Sequence, residues 1–177
     1  MPNIVNALRY VITGMSGTGK TAVLEGLRTE GFPCFDEPGR EVLNNGSAAA
    51  KTDPEIFISE MYEHSLRDYR LAPNQQLAFY DRGLPDIVAY ANRFKVDATL
   101  YQEAAELNRY QPIVFVAPPW REIFVNDDLR RASFDDYLHF HESLLNIYDN
   151  LGYSTKILPK GSVHERIDFI KDGTSGG

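Results

Sequence analysis

With one cysteine, Cys34, the chain cannot close an internal disulfide, so its stability has to come from packing and hydrogen bonding. That cysteine sits in the apolar run Phe32-Pro33-Cys34-Phe35, a setting for a buried core thiol rather than a nucleophile. No stretch approaches the roughly 20 consecutive apolar residues of a membrane span. The first residues carry neither the charged region nor the long apolar region of a secretory signal, so a cytoplasmic protein is the expectation. Positive charge is scarce. Lys and Arg number 18 against 25 Asp and Glu, and the resulting net charge of −7 argues against an extended nucleic-acid or anionic-membrane surface. It leaves room for a local cationic pocket, and the bias of 12 Arg to 6 Lys suits bidentate clamps on phosphate. Among the 4 histidines, His139 and His141 are two apart and do not share a helix face, so a zinc site is not expected. Repeats, low-complexity tracts and linkers are also lacking. Residues 1–172 read as one domain and Gly173-Thr174-Ser175-Gly176-Gly177 as a flexible tail.

What is present is concentrated near the start. Gly14 to Thr21 read G-M-S-G-T-G-K-T, behind the apolar run Leu8–Thr13 and ahead of the helix-like stretch Ala22–Leu27. This is the phosphate-binding loop pattern G-x-x-x-x-G-K-[ST] in its strand-then-helix context. Glycines let the backbone take positive φ and approach a polyphosphate closely, and successive N–H groups then face the anion at a helix N-terminus. Gly14, Ser16, Gly17, Thr18, Gly19, Lys20, Thr21 and Ala22 are therefore the expected nucleotide contacts, with Lys20 reaching the outer phosphates and Thr21 offering its hydroxyl to Mg²⁺. A dinucleotide fingerprint, G-x-G-x-x-[GA], overlaps at Gly17–Ala22, but its first glycine falls three residues late and it leaves Lys20-Thr21 without a purpose. An N-K-x-D segment to read guanine is missing, so a GTPase switch is not expected.

Strand-like runs recur at Leu8–Thr13, Phe32–Asp36, Gln76–Asp81, Pro112–Ala117 and Tyr153–Leu158, separated by amphipathic helical patterns. Such alternation predicts an α/β fold with a parallel sheet covered on both faces. Asp53-Pro54 reads as the cap and first residue of a helix to about Leu71, and Ser133 with Asp136 as a capping box. An apolar stripe from Phe134 to Leu151 follows, stopped by Gly152. Further helices are expected over Asp86–Phe94 and Ala98–Tyr110.

In an open parallel sheet, ligands bind beyond the carboxyl ends of the strands. Asp81 ends the third run and is placed to hold Mg²⁺ together with Thr21. Arg82 follows it and can orient an acceptor or meet phosphoryl charge, but cannot act as a base. Past the second run lie Asp36 and Glu37, either of which could take a proton from an acceptor hydroxyl. Arg121, Arg130 and Arg131, past the fourth run, suit a lid of about 118–133 that closes over phosphates.

The segments G-M-S-G-T-G-K-T, G-F-P-C-F-D-E-P-G-R-E-V, F-Y-D-R-G-L-P-D-I-V-A-Y and P-P-W-R-E-I-F-V-N-D-D-L-R-R-A-S-F together resemble the P-loop kinase branch of nucleotide-binding proteins. The chain is most similar to small AAA-domain ATPases built like nucleotide kinases, and more distantly to deoxynucleoside and ribosylnicotinamide kinases. The resemblance implies a three-layer P-loop NTPase fold with a five-stranded parallel sheet in the order 2-3-1-4-5. It implies that Glu37, followed by Pro38, is the base, that Asp81-Arg82 is the acid-Arg pair after the third strand, and that Arg130 and Arg131 form the lid. Gly83 departs from the serine of that pattern. The implied activity is a Mg²⁺-dependent transfer from ATP to a small nucleoside, nucleotide or related metabolite; the other class open is an ATP-binding sensor without a small-molecule acceptor.

Overall fold

A computed structural model of the chain describes residues 8–124 and 132–175. Five strands, β1 (Leu8–Gly14), β2 (Cys34–Phe35), β3 (Leu77–Asp81), β4 (Ile113–Ala117) and β5 (Ser154–Ile157), form one sheet in the order β2-β3-β1-β4-β5. All pairings are parallel, and Ile12 in the centre stands opposite Asp81 on one side and Phe115 on the other. The helices are α1 (Lys20–Thr29), α2 (Pro38–Asn45), α3 (Pro54–Leu71), α4 (Leu84–Phe94), α5 (Thr99–Leu107), α6 (Phe134–Asn150) and α7 (Val163–Thr174). The three-layer fold and its strand order are those the resemblance implies.

The period of two along each strand sorts the core into two layers. Val11, Ala78, Tyr80, Val114 and Val116 face the larger layer, with Ile58, Met61, Leu84, Leu144 and Tyr148 from the helices. Tyr10, Ile12, Phe79, Phe115 and Ala117 face the other, packed by Val23, Leu24 and Leu27 of α1 and Ile167 and Ile170 of α7. Strands covered on both faces have to be apolar at consecutive positions, which is why β4 reads I-V-F-V-A without alternation.

Caps fix where the helices begin. The Asp53 side chain accepts from the backbone N–H of Glu55 and Ile56, a contact typically worth about 1 kcal/mol. Ser133 with Asp136, and Ser162 with Glu165, close reciprocal capping boxes at α6 and α7. Several elements differ from expectation. Helix α4 starts at Leu84 because Pro85 occupies its first turn and Asp86 turns back to the Gly83 N–H. Helices α2 and α7 are additional to the expected set, and α7 continues through Thr174. Gly173 and Thr174 are thus helical, where the sequence suggests the start of a loose tail; a Cβ on Gly173 would crowd the Phe115 ring. Cys34 is half-buried at the margin of the second layer rather than deep in the core, and burial pushes its thiol up to about 12, so it is protonated and a poor nucleophile. Among the described residues, no helix is long and apolar enough to cross a membrane.

Candidate functional site

The turn from β1 to α1 is held by its glycines. Gly14 has φ +122, and a Cβ there would collide with the Ala117 carbonyl of β4. Gly17 and Gly19 take φ +71 and +81, backbone that glycine adopts without steric cost. Within the loop Thr18 Oγ1 donates to the Met15 carbonyl at 2.6 Å, and Lys20 Nζ donates to the same oxygen at 2.9 Å. The lysine therefore lies across the loop at the first turn of α1. Thr21 and Ala22 are exposed beside it. Helix α7 closes the back of the loop: Arg166 Nη1 donates to the Thr18 carbonyl at 2.9 Å, and its guanidinium lies 5.9 Å from the Trp120 ring. Burial lowers the pKa of Arg166 from its ordinary value.

Beside this loop, β3 delivers Asp81 and Arg82 to the same edge. Asp81 is buried at the strand end and Arg82 follows in the left-handed backbone region, φ +77, which costs a non-glycine residue of order 1 kcal/mol or more. Surrounding contacts hold it there. The Arg82 N–H donates to the Ile12 carbonyl at 3.0 Å, and its side chain is wholly buried. Nη1 donates to Asp86 Oδ1 at 2.9 Å, Nε pairs with Glu37 Oε1 at 3.4 Å, and Nη2 reaches Ser16 Oγ of the phosphate loop at 3.4 Å. Burial would lower this guanidinium's pKa, but Tyr90, Glu37, Asp86 and Asp81 outweigh it and hold the pKa well above normal. Arg82 is thus a permanent cation joining the loop to Glu37.

Asp86 is the residue that the sequence reading missed. Its Oδ1 also accepts from Thr13 Oγ1 at 2.6 Å, and its Oδ2 accepts from the Gly83 N–H at 2.9 Å and the Tyr148 hydroxyl at 2.6 Å. Strand β1, the turn after β3 and helix α6 converge on one carboxylate of α4 with no exposed surface. The available signal was an acid four residues after Arg82, the spacing of a helical ion pair; its partners Thr13 and Tyr148 carry no such signal.

Glu37 and Asp36 separate cleanly. Asp36 is exposed and pairs with Arg28 at 2.8 Å on the surface, away from Arg82. Glu37 is buried at the head of α2, its side chain caps nothing there, and it faces Arg82. It also lines a cavity of about 310 Å³ whose walls include Phe57, Tyr90, Phe94 and Tyr137. Of the expected lid residues, Arg130 and Arg131 lie outside the described residues. Arg121 is exposed, paired with Asp135 at 3.2 Å and stacked 4.1 Å from the Phe134 ring. His141 is buried on α6, and burial together with the positive fields of Lys20 and Arg82 depresses its pKa to about 4.

The donors expected for a magnesium ion are the exposed Thr21 hydroxyl and the buried Asp81 carboxylate, both oxygen. Among the described residues no three His, Cys, Asp or Glu side chains form a self-sufficient metal cluster. A hard cation that takes one or two protein oxygens and completes its shell with phosphate and water fits such a donor set.

Comparison with known proteins bears on the fold. No curated protein matches the chain in sequence. Among solved structures, NadR in complex with NR superposes with a TM-score of 0.72 at 19% identity, covering 97% of this chain and 52% of that one. Deoxyadenosine kinase from M. mycoides, bound to the products dCMP and dCDP, gives a TM-score of 0.64 at 14% identity over 96% of this chain and 100% of that one. Thymidylate kinase from Ehrlichia chaffeensis gives 0.58 at 16% identity, with 94% and 98% covered. The chain spans about half the length of NadR and nearly all of the two kinases. These likenesses establish the P-loop kinase fold. The sequence profile of the AAA-domain family matches residues 9–166, nearly the whole described fold, and the chain belongs to that family.

Proposed function

We propose that the chain is a Mg²⁺-dependent phosphotransferase that moves the terminal phosphoryl group of ATP to a hydroxyl of a small nucleoside, nucleotide or related metabolite. The observation that carries this reading is Glu37: buried, held by Arg82, and set at the head of a cavity one guanidinium away from the phosphate loop. Phosphoryl transfer demands little covalent chemistry of a protein beyond positioning, charge neutralisation and removal of the acceptor proton. The loop from Gly14 to Ala22 supplies backbone N–H groups and Lys20 for the phosphates. Thr21 and Asp81 are the residues that would hold Mg²⁺, which when bound neutralises phosphate charge. Glu37 receives the acceptor's proton, and Arg82 fixes the direction of Glu37 and the acceptor oxygen. Arg130 and Arg131 are assigned to neutralising the transferring group. Residues 1–172 act in this reading as one kinase-like unit within the cytoplasm.

The test is ADP release with Mg²⁺ and ATP across a panel of nucleosides, nucleotides and hydroxylated metabolites. A rate that rises sharply with one class of acceptor is expected. Slow basal hydrolysis indifferent to every acceptor would overturn the reading in favour of a nucleotide-sensing module. Lys20→Ala should abolish ATP uptake by calorimetry while the protein stays folded; undiminished uptake would remove the loop from the mechanism.

A further inference from the structure

We infer that the cavity headed by Glu37 takes an alcohol bearing both a flat ring and a negatively charged group distant from the reacting hydroxyl, with Arg93 and Lys51 receiving the charge. The identity of the reacting end rests on the phosphotransferase reading; the ring and charge preferences rest on the cavity itself. Its volume of about 310 Å³ lies at the small end of sites for organic ligands, and four aromatic side chains, Phe57, Tyr90, Phe94 and Tyr137, contribute to its walls. Flat apolar walls favour a ring over a branched or fully hydrated ligand.

The charges along the wall do not cancel locally. Both carboxylates are engaged: Glu37 with Arg82, and Asp53 with the N–H groups of Glu55 and Ile56. Lys51 and Arg93 also line the cavity, and among the described residues neither side chain is hydrogen-bonded or ion-paired to a carboxylate. The Arg93 guanidinium lies over the rings of Tyr137 at 5.6 Å and Phe140 at 5.1 Å, contacts that fix its direction and leave its charge available. Both side chains are exposed, and Asp136, its pKa held low first by its hydrogen bonds to Ser133, also feels the Arg93 charge. Among the described residues Lys51 and Arg93 still give this wall two cations against two engaged carboxylates, a field that favours an anionic ligand.

Helix α4 sets the order of the parts. The Arg82 guanidinium meets Asp86 at 2.9 Å and lies 5.6 Å from the Tyr90 ring, so the reacting end is level with the first turn of the helix. Arg93 comes three residues after Tyr90, about 4.5 Å further along the axis. A ligand laid along α4 therefore meets Glu37 and Arg82 first, then the Tyr90 ring, then Arg93. Hydroxyl, ring and anion follow in that sequence.

The experiment uses the full chain and ligand pairs that differ in one anionic group while keeping the 5′-hydroxyl: uridine against orotidine, and adenosine against adenosine 3′-monophosphate. Calorimetry should show at least one anionic member binding about tenfold more tightly than its neutral counterpart, with the margin shrinking as salt rises. Arg93→Gln and Lys51→Gln should each remove most of that margin, the anionic member losing far more affinity than the neutral one in a protein that still unfolds cooperatively. Equal binding of both members in both pairs, no saturable binding of any, or a charge preference that survives in the double variant would overturn the inference. ADP release on the same panel reads the parent proposal separately. Charge-selective binding without ADP release keeps the anion site and removes phosphotransfer. Release stimulated equally by charged and neutral members keeps phosphotransfer and removes the anion site.

Discussion

Replacing Asp86 by asparagine tests whether the buried carboxylate is what holds Arg82 in its left-handed turn. Asp86 accepts four hydrogen bonds, from Thr13, Arg82, Gly83 and Tyr148, two at each oxygen. An asparagine amide keeps one acceptor oxygen and turns the other into a donor, so two of the four donors lose their partner in either orientation. It also removes the negative charge 2.9 Å from a guanidinium with no exposed surface. Breaking a buried pair on one side costs about 3–5 kcal/mol, because the remaining charge stays desolvated. For a chain of this size each kcal/mol lowers the melting temperature by about 2–4 °C, so Asp86→Asn should fall by roughly 6–20 °C. Tyr148→Phe removes a single hydrogen bond to the same carboxylate and should cost about 1.5–3 kcal/mol. Because both changes act on one network, the double variant should lose less than the sum of the singles. The assay is urea or thermal unfolding of the four proteins, with two-state behaviour checked by two probes. A melting temperature for Asp86→Asn within about 2 °C of the parent would refute the reasoning, as would strictly additive losses.

The proton-accepting role assigned to Glu37 predicts that Glu37→Gln lowers turnover by about 100-fold or more with ATP affinity intact. Asp36→Asn, at an exposed pair with Arg28, should leave turnover unchanged and cost under about 1 kcal/mol of stability; the reverse pattern in steady-state kinetics would exchange their roles. His141 gives a pH dependence of stability. Its folded pKa of about 4 lies below the ordinary 6.5, so between these values the unfolded chain binds the extra proton. Stability should therefore fall as pH drops from about 6.5 to about 4, by roughly 3 kcal/mol in all from this group. Urea unfolding at a series of pH values should show that slope flattened in His141→Gln, and an unaltered slope would exclude His141 as its source.

Some of this protein was legible in the chain alone, because the physics involved is local. A phosphate loop requires positive φ at particular positions, and only glycine meets that cheaply, so Gly14, Gly17 and Gly19 announce the turn before any contact is known. Asp53 before Pro54, and Ser133 three residues before Asp136, name helix starts for the same reason: the donor and acceptor lie within one turn of each other. The apolar runs of β1, β3 and β4 carry the centre of the sheet, since strands covered on both faces have nowhere to place polar residues, whereas β5 at the edge, S-T-K-I, is exposed along its length. The eight-residue α2 left a weaker trace, its short length offering little periodicity to read, and β2 is only two residues of the expected run Phe32–Asp36. Helix α7 is longer, and its signal, the capping box of Ser162 with Glu165, went unread.

What surrounds each candidate residue was decided by the tertiary structure. Asp36 and Glu37 are neighbouring acids that spacing and burial patterns in the sequence do not separate, and their surroundings part because the backbone turns one toward Arg28 at the surface and the other toward buried Arg82. Tyr148 meets Asp86 across 62 residues, and Arg166 meets the Thr18 carbonyl across 148. No spacing rule reaches so far, because such contacts form only when the sheet brings separate helices to one edge. Local stereochemistry placed the loop; the folded sheet chose its neighbours.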